Sequence, residues 1–274
     1  MMNLWQQIPT PSSDFRRLLL WLLVSGCVLS GCTGNQDYQR LSGATMGTYY
    51  SVVCRCAEDV GAAELQNLID AELAAVNAVM STYDPDSVLS RFNRGPSNSW
   101  QEVPVELIEV VSAAREMSEL SDGAFDVTVG PLVNAWGFGA ESSADSQPSA
   151  QALAQLMQRV GYQKLQMRAQ PPGLLKTAPL YVDLSALAKG HGVDRVADLL
   201  QRSGCGDYLV DIGGEVRVRG NNPRGSLWSI GVEVPDPGSQ GGVQRVLRLL
   251  DRSVATSGDY RNFRTVAGQR LSHT

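Results

Sequence analysis

Apolar residues recur at helical spacing through the first half of this chain and fall into strand-like runs in the second. Across residues 61–80, Leu65, Leu68, Ile69, Leu73, Val76 and Met80 draw one continuous stripe. That spacing predicts an amphipathic helix laid on a core. Residues 87–93 predict a short helix after a polar turn at 80–85. Leu107, Ile108, Val111, Ala114 and Met117 predict another, with Pro104 at its first position. Residues 150–160 read as a further helix, stopped by Gly161. Strand signals lie at 49–53, 208–212, 215–219, 228–234 and 246–250, where β-branched and aromatic residues concentrate. Helices first and strands later predict an α+β fold: one domain of mixed or antiparallel sheets flanked by helices.

Two stretches fit neither period cleanly. Residues 121–139 carry Phe125, Trp136 and Phe138 among glycines and Pro131. So much apolar mass does not suit a disordered loop. It predicts an ordered one that wraps a flat ligand or plugs a core. The second stretch is Tyr181-Val-Asp-Leu-Ser-Ala-Leu-Ala-Lys-Gly190. An apolar run ending at Val182 predicts a strand that hands over to a helix at Asp183. Lys189 then falls near the helix start, where the macrodipole disfavours a cation by about 0.3–1 kcal/mol. Gly190 and Gly192 each cost about 1 kcal/mol in a helix relative to Ala. Such choices suit an anion that must approach the backbone and meet a positive charge. Alone, the stretch also fits an ordinary turn with Asp183 as N-cap and Lys189 in solvent.

The 274 residues suffice for one large or two modest domains. With Lys+Arg 23 and Asp+Glu 28, the net charge of -5 excludes a nucleic-acid footprint. Arg16 and Arg17 precede an apolar run at 18–29, short for a bilayer span but suited to a signal peptide. The run closes on Leu29-Ser-Gly-Cys32, which resembles the lipobox of bacterial lipoproteins. That resemblance implies a signal peptide over 1–31, an acylated Cys32, a tether over 32–40 and a lipid-anchored protein facing the periplasm. A plain secretory signal is the alternative. Cys54, Cys56 and Cys205 then remain in an oxidising compartment with their pairing open. No metal site is expected among them, for want of supporting ligands.

Five motifs occur in order: Thr45-Met-Gly-Thr48, Gly123-Ala-Phe-Asp126 with Val129-Gly-Pro131, Asp183-Leu-Ser-Ala-Leu-Ala-Lys-Gly190, Ile212-Gly-Gly-Glu215 and Thr256-Ser-Gly-Asp-Tyr260. Together they resemble the FAD:protein FMN transferase family, the ApbE-type flavin transferases, over residues 41–274. The resemblance implies a Mg²⁺-dependent enzyme that splits FAD, attaches FMN by a phosphoester to Thr or Ser of an acceptor protein, and releases AMP. It implies nucleotide contacts from Met46, Tyr83, Ala124, Phe125, Asp126, Asp183, Lys189 and Thr274. Ala186 would offer a main-chain carbonyl to Mg²⁺, and His273 would serve as base towards the acceptor hydroxyl. Acceptors would be subunits of membrane redox complexes of the Rnf or Na⁺-pumping NADH:quinone reductase type. An FAD pyrophosphatase and a non-catalytic flavin-binding lipoprotein are the competing readings.

The residue types suit that chemistry. A pyrophosphate needs a hard cation and point charges to offset it, and a base working near neutral pH suits a histidine. The other histidine, His191, reads as packing or a phosphate contact. The family pattern runs on past Ser-His and supplies a further Asp and Thr to the metal. The expectation is therefore a C-terminally truncated transferase with an incomplete metal site.

Overall fold

Strand β1 (Gln39–Thr45) turns directly into β2 (Thr48–Arg55), with Thr45 paired to Thr48. Only Met46 and Gly47 remain for the turn, and both take positive φ, 48° and 71°. A two-residue hairpin turn demands that conformation, because it matches the twist of the strands it joins. The computed structural model describes residues 38–56, 60–141, 147–235, 242–259, 262–266 and 268–272. They belong to one compact unit, Tyr38–Thr274. β1 thus begins inside the stretch expected to be a tether at 32–40.

The hairpin opens a five-stranded antiparallel sheet of order β1-β2-β6-β7-β10, completed by β6 (Asp207–Ile212), β7 (Glu215–Arg219) and β10 (Arg252–Val254). Helices α1 (Ala62–Met80) and α6 (Ser185–Arg202) run beside it. Between them come α2 (Val88–Arg94), α3 (Val105–Leu120), α4 (Gly130–Ala135) and α5 (Ala150–Met157). A second sheet, β3-β5-β4, joins β3 (Gln101–Glu102), β4 (Leu165–Ala169) and β5 (Pro172–Lys176). Two hairpins follow: β8 (Trp228–Glu233) with β9 (Val243–Leu249), and β11 (Phe263–Val266) with β12 (Gln269–Ser272). The α+β architecture is the expected one.

Burial follows periodicity. Leu65, Ile69 and Leu73 of α1 join Tyr50, Val52, Val196, Leu200 and Ile212 in one core. Val76 and Met80, further along the same helical stripe, join Leu89, Phe92, Leu107, Val111, Leu174, Val182 and Leu184 in a second. Each fully buried Leu or Ile contributes about 1.5–3 kcal/mol relative to exposure. β2 alternates faces, so Val53 leaves the first core and packs with Val216, Val218 and Trp228. Met46, at the hairpin turn, touches both main cores.

Local details differ from expectation. Pro104 caps α3 rather than opening it, because its ψ of 150° is extended. α5 stops at Met157, and Gly161 instead begins the 3-10 turn Tyr162–Lys164 at φ 143°. Residues 121–139 contain the short helix α4, started by Gly130-Pro131. No strand forms at 180–182. Asn93 holds that segment in place of a ladder, and Leu184 rather than Asp183 is the helix N-cap residue. Cys56 and Cys205 form a disulfide that ties the end of β2 to the entry of β6. Cys54 stays a buried free thiol, its Sγ 3.7 Å from that of Cys56.

Candidate active site

A cleft of about 1980 Å³ opens where the β1–β2 turn, the loop before α4, the start of α6 and the β6–β7 turn meet. Met46, Tyr83, Ala124, Phe125, Asp126, Asp183, Ala186 and Lys189 all line it. So do Gly213, Gly214 and Glu215 of the fourth motif and Thr256, Ser257, Gly258 and Asp259 of the fifth. Cys32, His273 and Thr274 lie outside the described residues.

Each wall has a local reason for its shape. In the loop before α4, Asp126 Oδ1 accepts from the Thr128 amide and hydroxyl, both at 2.7 Å, and Oδ2 accepts from the Tyr162 amide at 2.8 Å. The carboxylate expected to contact the nucleotide therefore holds its own loop together. Thr128 Oγ1 in turn accepts from the Gly161 amide at 2.7 Å. This network presents Ala124 and Phe125 to the cleft.

Asp183 sits between two anchors. Its amide donates to the Val127 carbonyl at 2.8 Å, and its Oδ1 accepts from the Ser185 amide at 2.8 Å and from the Ser185 hydroxyl. The carboxylate thus satisfies an orphan donor of the first helical turn, as a capping group does. Tyr83 stands at the cleft mouth with 68% of its surface exposed. The low-dielectric wall behind its hydroxyl, and then the Asp183 charge, raise its pKa.

Lys189 lies in the second turn of α6, with its ammonium 2.8 Å from Glu215 Oε2. Gly192 one turn on is a packing residue: a Cβ there would stand 2.9 Å from the Met46 Cε and 3.2 Å from Ile212 Cδ1. Gly190 faces open space. The two glycines that suggested an approaching anion therefore divide, one fitting the helix to the hairpin turn and one leaving room. His191 is half-buried, and its pKa is lowered by that burial and then by Arg195.

Charge in the cleft is lopsided. Among the described lining residues Lys189 is the one Lys or Arg, against Asp84, Asp126, Asp183, Asp211, Glu215, Glu233 and Asp259. Sequence reasoning assigned no role to Glu215, although its motif was in view. The pairing with Lys189 is a long-range register effect that no local pattern reveals. Among the described residues the one cluster of three potential metal ligands is Cys54, Cys56 and Cys205, two of them spent in the disulfide. The cleft instead offers scattered oxygens, which is the donor type Mg²⁺ takes when substrate phosphates complete its shell.

Fold and cleft together define the class: an α+β enzyme with an aromatic and acidic cleft built from the motifs of flavin transferases. A family model described as the ApbE family matches residues 46–274. An FAD:protein FMN transferase of Vibrio cholerae is 44% identical over 259 residues, which span 92% of this chain and 76% of that protein. One of Haemophilus influenzae is 38% identical over 264 residues, spanning 92% and 76%. The solved structure of the flavin transferase ApbE from Vibrio cholerae superposes with a TM-score of 0.77 at 43% identity, covering 82% of this chain and 72% of that one. The chain belongs to the ApbE family.

Proposed function

We propose that this protein transfers FMN from FAD to a Thr or Ser hydroxyl of acceptor proteins and releases AMP. The observation that carries the reading is convergence. Eight residues from four separated stretches, named from the family resemblance alone, line one cleft large enough for a dinucleotide. The relatives' name supplies FAD as the substrate.

In this reading Met46, Tyr83, Ala124 and Phe125 hold the flat flavin nucleotide, and Lys189 meets the pyrophosphate as a point charge. The acceptor hydroxyl attacks the phosphorus on the flavin side. The bond to the AMP phosphate breaks, and the hydroxyl proton passes to a base, assigned to His273. Positioning and electrostatics contribute most of the rate in such transfers. Among the described residues, one lysine facing seven carboxylates cannot neutralise a pyrophosphate, so a divalent cation has to accompany it. Mg²⁺ bound through the Ala186 carbonyl and the substrate phosphates would supply that charge.

The further proposals concern surroundings. A Cys32 acylated by two or more chains would anchor the enzyme stably at the periplasmic face. Acceptors would then be periplasm-facing subunits of redox complexes of the Rnf or Na⁺-pumping NADH:quinone reductase type. The test is incubation with FAD, Mg²⁺ and a candidate acceptor. Covalent flavin fluorescence on the acceptor supports transfer. FMN and AMP without labelling would make the protein a pyrophosphatase, and unchanged FAD would make it a flavin-binding lipoprotein.

A further inference from the structure

We propose that Glu215 is a positioning residue that holds Lys189 in reserve and yields it to the pyrophosphate of the arriving nucleotide. This rests on the reading of the cleft as an FAD site. It adds to that reading a second anion competing for Lys189.

Geometry carries the inference. Lys189 Nζ lies 2.8 Å from Glu215 Oε2. That oxygen is buried, yet among the described residues it has no hydrogen-bond partner. The contact is therefore an ion pair whose geometry falls short of a hydrogen bond. A buried carboxylate oxygen satisfied only by proximity is costly, because desolvation is complete while the compensation is partial. A better anion can take the cation from it.

The backbone holds this pair in place. Ile212 pairs with Glu215 across a two-residue turn in which Gly213 and Gly214 adopt φ of 60° and 102°. The Gly214 amide donates to Asp211 Oδ1 at 2.9 Å, which locks the turn. Lys189 Cδ lies 3.5 Å from where a Gly213 Cβ would stand, so the lysine stem runs along the turn. The stem stays packed while the ammonium, at its free end, can swing between two acceptors. Glu215 carries one negative charge. A pyrophosphate carries more and accepts hydrogen bonds through several oxygens, so it wins where a lone carboxylate or halide does not. The pair thereby reserves Lys189 for polyanionic ligands.

The experiment compares the wild type with Glu215→Gln, Glu215→Asp and Asp198→Asn. Each is titrated with FAD by flavin fluorescence and with inorganic pyrophosphate by calorimetry, alongside thermal midpoints. Glu215→Gln, which keeps the shape and removes the charge, is expected to bind both ligands about three- to tenfold tighter. In turnover its KM for FAD falls. Glu215→Asp, shorter but still charged, falls between Gln and wild type. Asp198→Asn, which removes an exposed α6 carboxylate outside the cleft lining, changes affinity by less than about twofold. Structural damage alone only weakens binding, so tightening is diagnostic, and the Asp variant carries the test if the Gln variant does not fold. Unchanged or weaker binding by Glu215→Gln overturns the proposal, as does equal tightening by Asp198→Asn. A wild type that binds pyrophosphate but not FAD refutes the flavin reading and leaves Glu215 to be decided by the pyrophosphate arm. Binding of neither refutes both.

Discussion

Asn93 and Val182 grip each other at two points: Asn93 Nδ2 donates to the Val182 carbonyl at 2.8 Å, and the Val182 amide donates to Asn93 Oδ1 at 2.8 Å. The side-chain amide thus does for residue 182 what a neighbouring strand would have done. Val182 is fully buried, so neither backbone group has water as a substitute. Asn93→Ala leaves both unsatisfied and is expected to cost about 2–4 kcal/mol. Urea unfolding reads the loss of stability. Because Asp183 follows directly, FAD affinity at low denaturant should fall in the same variant.

Lys189→Ala removes a cation from the cleft wall. FAD affinity should drop at least about tenfold, the loss of one charge-assisted contact. The thermal midpoint should fall only modestly, since a third of the lysine side chain is already in solvent. A sharp loss of stability with unchanged FAD affinity would reassign the lysine to a structural role.

Tyr83 packs against little and stands largely exposed, so Tyr83→Ala should shift stability by less than about 0.5 kcal/mol. Its ring is nevertheless the most exposed aromatic on the cleft wall that the motif reading selected. Loss of flavin stacking should weaken FAD binding by about fivefold or more, within the usual worth of an aromatic contact. Titration by flavin fluorescence separates the two effects.

Alkaline stability offers a test away from the cleft. Burial, and then the hydrogen bond it donates to Asp70, raise Tyr50 from 10.0 to about 12. Burial raises Cys54 from 9.0 to about 11. The folded chain therefore keeps both protons when the unfolded chain has lost them. The stabilisation is complete below the unfolded values and is lost as pH rises through 9 to 12. The fall should be on the order of 2 kcal/mol for each group. Tyr50→Phe and Cys54→Ala should each flatten part of that slope in denaturation curves taken from pH 8 upward.

Helix α1 shows how far a single sequence reaches. Its stripe at Leu65, Leu68, Ile69, Leu73, Val76 and Met80 located the element and its buried face, except that Leu68 stands exposed beside it. Nothing local told that the stripe serves two cores in succession, since that depends on where α3 and β6 arrive. The segment before α6 shows the opposite case. Leu180 and Val182 are as buried as any strand residue, and apolar run length alone cannot tell a strand from extended chain held by a side chain. At the site, motif order found residues that share a cleft, because each motif combines a turn residue with a chemical one. It did not find their partners. Asp126 accepting from the Tyr162 amide and Glu215 beside Lys189 depend on contacts across 36 and 26 residues, beyond the reach of any local pattern.

Met46 touches both main cores while forming one wall of the cleft. The cleft therefore cannot exist in a chain that has condensed only one of them. Nucleotide binding reports completion of the whole fold, and partly folded forms are blind to the ligand. By mass action, a ligand at a hundred times its dissociation constant then adds about 2.7 kcal/mol to the stability of both cores together. Ligand-induced protection from hydrogen exchange should accordingly spread across α1 from Leu65 to Met80, far past the few residues the nucleotide touches.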